Sequence, residues 1–86
     1  MPEICRFYGI VIALYYNEHN PPHFHVKYGD YAAEVSITTL EIINGELPRR
    51  AKLLVLEWAD EHRNELMENW KLAREMKELK RIDPLK

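Results

Sequence analysis

The chain carries one cysteine, three glycines and no apolar run longer than the seven residues Ile10–Tyr16. Cys5 alone cannot close an internal disulfide, which fits a protein of a reducing cytoplasm. Crossing a bilayer takes roughly 20 consecutive apolar residues, so the Ile10–Tyr16 run is too short to span one. The opening "MPEICRFYG" is charged at Glu3 and Arg6 and lacks the apolar core of a secretory leader. Positive charge is not in excess either: 12 Lys and Arg stand against 14 Asp and Glu, for a net charge of -2. That excludes a polycation that coats nucleic acid and leaves any phosphate contact to a local patch. The expectation is a cytoplasmic protein with no membrane attachment.

The 86 residues imply one domain, 1–86, with room for one small core. Hydrophobic residues make up 47% of the chain, enough for it to fold without covalent staples. A chain this short buries only about 60–65% of its unfolded surface. Its stability is therefore expected to be modest, or supplemented by a partner or a second copy of itself.

Residues 4–47 read as β, 48–77 as helix and 78–86 as a short basic tail, loosely ordered. "IVIALYY" (10–16) is rich in β-branched and aromatic residues and reads as a buried strand between Gly9 and the Asn17–Pro22 loop. In "HFHVKYGDYAAEVSI" (23–37), Gly29-Asp30 separates two alternating runs, the pattern of a hairpin with a type II′ turn. Alternation puts Phe24, Val26, Tyr28, Tyr31, Ala33, Val35 and Ile37 on a core face. His23, His25, Lys27, Ala32, Glu34 and Ser36 fall on the polar face. Counting from the turn pairs His25 with Glu34 and His23 with Ser36, and directly opposed Cβ atoms lie about 5 Å apart.

Asn44-Gly45 is a type I′ turn signal, which predicts a short third hairpin or a sheet edge. Pro48 suits the first position of a helix. At about 100° per residue, Ala51, Leu54, Val55, Trp58, His62, Leu66, Ala73 and Met76 share one face, with Trp70 at its margin. Leu53, Leu56 and Met67 form a second apolar stripe, which implies either a partner interface or a break near Asn64. The expected fold is α+β: a small antiparallel sheet of three to five strands, with one long or two consecutive C-terminal helices packed on one face.

The chemistry concentrates in "EHNPPHFH" (18–25), where three of the four histidines fall within seven positions. Three readings stand beside one another. In the structural one, His19 caps the loop and His25 pairs with Glu34. In the second, His19, His23 and His25 ligate zinc or another transition metal, since imidazole suits Zn, Cu, Ni and Fe, and Glu34 ligates or orients them. In the third, no cofactor is needed. There His23 and His25 transfer protons, Glu34 orients His25, Lys27 holds a phosphate and His19 joins from the loop, the kit of a metal-independent ribonuclease. His62 reads as a satisfied core histidine.

The stretches "RFYGIVIALYYNEHNPPHFHVKYGDY" and "LPRRAKLLVLEWADEHRNELMENW" resemble a family of small bacterial proteins, domain of unknown function 4160. The resemblance covers about residues 2–84. It rests on Phe7-Tyr8-Gly9, the Asn20–His25 block, Tyr28-Gly29, Leu47-Pro48 and the stretch from Trp58 to Trp70. It implies a bacterial cytoplasmic protein acting as the toxin half of a type II toxin–antitoxin pair, on RNA or translation. The partner implied is a small antitoxin-like protein of the domain of unknown function 2442 family. The resemblance transfers no catalytic residue.

Overall fold

The computed structural model describes residues 2–86. Five strands, Glu3–Phe7 (β1), Ile10–Ala13 (β2), His23–Tyr28 (β3), Tyr31–Ser36 (β4) and Ile42–Gly45 (β5), precede two helices, Arg49–Glu61 (α1) and Arg63–Arg74 (α2). The strands form one antiparallel sheet in chain order, so every strand pairs with its sequence neighbour. The architecture is α+β.

Turn chemistry sets the sheet's register. Tyr8 and Gly9 have φ of +48° and +78°, the pair of left-handed residues that a type I′ hairpin turn needs. Gly29 has φ +57° and no left-handed conformation occurs at Asp30, as a type II′ turn requires. The resulting pairs are those counted from the sequence: His23 with Ser36, His25 with Glu34, Tyr28 with Tyr31.

Of the two expectations for Asn44-Gly45, the sheet edge holds and the hairpin turn does not: both residues lie within the edge strand β5, opposite Glu34 and Ala33. Gly45 does adopt a left-handed φ, +75°, but it uses that freedom for a close backbone approach: a Cβ there would sit 2.2 Å from the Ala32 carbonyl oxygen. The β4–β5 connection is instead Ile37–Glu41, where Leu40 has φ +59° and the Ser36 hydroxyl accepts from the Thr39 amide at 3.1 Å.

Alternation divides the sheet into two faces. Phe7, Ile10, Ile12, Phe24, Val26 and Val35 are buried beneath the helices and share one apolar cluster with Val55 and Trp58. Tyr31, expected in that core, is 44% exposed at the hairpin end. The opposite face carries successive rows across the strands: Arg6, Val11, Lys27 and Ala32, then Ala13, His25, Glu34 and Asn44.

Pro48 precedes α1, which buries Ala51, Val55, Trp58 and Ala59 along one stripe. The helix breaks at His62, whose φ of -121° leaves the helical region. Its ring lies against Trp58, and Nδ1 contacts Glu65 at 2.6 Å. After the break, α2 buries Leu66, Asn69, Trp70 and Ala73. The break folds Leu56 and Met67 partly into the core, while Leu53 stays 56% exposed. Met76, expected on the buried face, lies beyond α2 and is 62% exposed.

The tail is tied down, not loose. Asn69 is buried and grips the Lys80 backbone from both sides: its Nδ2 donates to the carbonyl at 2.9 Å, and its Oδ1 accepts from the amide at 2.8 Å. The Ile82 side chain is buried, and its amide donates to the Ile4 carbonyl at 2.9 Å. Trp58 Nε1 donates to the Asp83 carbonyl at 2.8 Å. Arg81 reaches Glu3 at 3.3 Å. The hydrogen bond from Arg6 and the nearby Arg81 hold the Glu3 carboxyl below its ordinary value. One buried Ile and one buried Asn account for the order that a charged composition hid.

Candidate metal centre on the open sheet face

β3 positions the two central histidines. With Phe24 and Val26 locked in the core, His23 and His25 must project from the opposite side of the strand. Their rings sit 5.2 Å apart, centroid to centroid. The loop before β3 then brings Glu18 onto them. Its Oε1 contacts His25 Nε2 directly and lies 3.4 Å from His23 Nε2. From β4, Glu34 Oε1 approaches the same His23 nitrogen to 3.6 Å. Asn44 on β5 steadies Glu34 by donating to its Oε2 at 3.1 Å.

His23 is the unusual member. It is only 5% exposed, with its ring 5.3 Å from that of Trp70 on α2. Its Nδ1 lies 2.7 Å from the Pro21 carbonyl oxygen. A carbonyl can only accept, so Nδ1 carries the proton and donates it. In the neutral ring Nε2 then holds a lone pair, and this buried atom has no hydrogen-bond partner among the described residues. An unmet buried polar group costs roughly 1–3 kcal/mol, and such groups call for an explanation. His25 is more open, with the Tyr15 ring edge-on at 4.3 Å.

Glu18, His23 and His25 offer three ligand atoms within 4.8 Å of one another. Four-coordinate ions of this class have bonds of about 2.0–2.2 Å, which puts neighbouring ligand atoms roughly 3.4 Å apart. The 3.4 Å from His23 Nε2 to Glu18 matches that edge. The Glu18–His25 contact is tighter, so an ion would part those two side chains. Donation of the remote ring N–H to a backbone carbonyl, as His23 makes to Pro21, is the usual support of a metal-bound histidine.

Beside the cluster the open face is hollow. A cleft of about 380 Å³ is lined by Ala13, Tyr15, His25, Lys27, Ala32 and Glu34, among others. Small side chains at positions 13 and 32 make the hollow, where a half-exposed sheet would ordinarily carry larger residues.

Of the residues singled out from the sequence, His23, His25 and Glu34 converge, and Lys27 lines the cleft. His19 is exposed and lies outside the three-residue cluster. Glu18 takes the place on the cluster that sequence reasoning gave to His19. The loop that brings it there turns at Tyr16-Asn17 and bends at Asn20-Pro21, a path that no hydrophobic period marks in the sequence. Trp70, placed at the margin of a helix face, serves as the cover of His23.

No curated protein and no solved structure matches the chain. The family model described as a domain of unknown function, DUF4160, matches residues 9–71, well over half of the chain and the whole of the histidine cluster, and the chain belongs to that family.

Proposed function

We propose that this chain is a cytoplasmic metal-binding module whose work is done at the open-face cleft. Glu18, His23 and His25 would hold one divalent transition ion. The observation that carries the reading is the buried Nε2 of His23, which makes no hydrogen bond yet faces the Glu18 and Glu34 carboxylate oxygens at 3.4 and 3.6 Å, while Nδ1 donates to Pro21. Two imidazoles and one carboxylate are the donor set of catalytic zinc sites and of ferrous oxygenase sites, where open coordination positions remain for water or substrate. Here an open position would face the cleft. Protein purified without a histidine tag and analysed by elemental mass spectrometry should carry close to one zinc or iron per chain. A metal-free protein that takes up neither ion on dialysis would leave the cluster as a structural His–Glu contact and sink the proposal.

The direct contact of His25 with Glu18 beside Lys27 favours a second reading, metal-free acid–base chemistry on RNA. That is the chemistry expected of a toxin half held by a small antitoxin-like partner. Bacterial growth on induction of the chain, compared with folded His23→Ala and His25→Ala variants, tests it. Growth arrest that persists in both variants would remove these histidines from the activity, and growth unaffected by the intact chain would remove the toxin role.

A further inference from the structure

The row of side chains next to the cluster contains a lysine with no acid directly opposite it. Lys27 lies between Val11 on β2 and Ala32 on β4, so neither of its cross-strand partners carries charge. Among the described residues it enters no ion pair. It is exposed and lines the same cleft as His25 and Glu34. A lysine opposite Val and Ala contributes nothing evident to the sheet, yet it stands two residues along one strand face from a metal-ligating candidate.

Charge and distance together define what would fit. Two carboxylates, Glu18 and Glu34, balance one divalent ion, and Lys27 then leaves the cleft net positive. Without the ion the same groups are net negative and repel anions. Two residues of strand place the Cα of Lys27 roughly 7 Å from that of His25, on the same face. The long, flexible lysine side chain and the His25 ring line one cleft, so a small oxyanion bound there can meet a metal ion and the ammonium together. The cleft volume, about 380 Å³, is that of a small-molecule site.

We infer that the cleft binds a small oxyanion, a phosphoryl or carboxylate group, bridged between the metal and the Lys27 ammonium. The inference rests on the metal-centre reading, and its signature is that anion binding depends on metal. The full chain is first loaded with zinc and the uptake measured. Methyl phosphate and acetate are then titrated in separate calorimetric arms into zinc-loaded protein, metal-free protein and zinc-loaded Lys27→Ala. At least one of the two anions should bind the zinc form, bind the metal-free form at least tenfold more weakly, and lose about tenfold in affinity in Lys27→Ala. The stronger of the two arms names the group. Absence of zinc uptake overturns the metal reading and the inference with it. Zinc uptake without binding of either anion overturns the inference alone, as does equal binding by metal-free protein or by Lys27→Ala.

Discussion

Zinc should stabilise the fold by an amount that a single isosteric change removes. A ligand that binds only the folded state adds about 2.7 kcal/mol when present at 100 times its dissociation constant. For a domain of 60–100 residues each kcal/mol moves Tm by roughly 4–8 °C, so the expected rise is about 11–22 °C. Glu18→Gln keeps the length of the side chain and its capacity to accept from a ring nitrogen, but it removes the charge and the anionic ligand. Changes to residues that merely support a ligand already cost about 10–100-fold in metal affinity, so losing the ligand itself should cost at least the upper figure. At the same zinc concentration the stabilisation falls to about 0.4 kcal/mol, or 2–3 °C. His19→Ala, at an exposed position outside the cluster, should keep the full rise. The assay is thermal denaturation followed by circular dichroism at fixed zinc, with each apo variant as its own reference. A full zinc shift in Glu18→Gln, or an equal shift when His23 and His25 are both replaced, would refute the geometry argued for the site.

Three further outcomes follow from the packing. Asn69→Ala removes both hydrogen bonds to the Lys80 backbone, each worth about 0.5–1.5 kcal/mol, so a loss of about 1–3 kcal/mol is expected; the amides of Lys80 and Ile82 should exchange faster while those of β3 stay protected. Gly45→Ala places a methyl group 2.2 Å from the Ala32 carbonyl oxygen at a φ of +75°; a cost of at least about 2 kcal/mol is expected from strain alone, read by denaturant titration. Cys5 is 1% exposed, and burial pushes its thiol above the ordinary value, so it should resist iodoacetamide at pH 8 in the folded state and react once the chain is unfolded.

The β3–β4 hairpin was legible in the sequence because two independent signals agree there. Gly29-Asp30 fixes the turn, and the alternation of Phe24 and Val26 with His23 and His25 fixes the faces, so a slip by one residue would bury the wrong set. Asn44-Gly45 misled because the same backbone freedom has two uses. Gly45 is left-handed, as a turn would need, but its neighbours belong to a strand that hugs β4. The tail was illegible for a different reason: what orders it is Asn69, Trp58 and Ile4, all far away in sequence. Glu18 was missed for another reason, since it lies only seven residues from His25. Its approach to the histidines depends on how a loop folds back, which neither a period of two nor one of 3.6 encodes.

The break at His62 matters more to the site than its place among the helices suggests. Trp58 touches Phe24 at a centroid distance of 6.0 Å, and Trp70 touches His23 at 5.3 Å. Those two β3 residues are neighbours in sequence whose side chains point to opposite faces. In one continuous helix the two tryptophans would stand about 18 Å apart along the axis, twelve residues at 1.5 Å each. With the helix broken at His62, Trp58 on α1 packs the core face of β3 while Trp70 on α2 covers the histidine that faces the opposite way. The cover is what buries His23 Nε2, and burial is what makes its missing partner costly. The helix break, read from the sequence only as an alternative to a partner interface, is thus part of how the site is made.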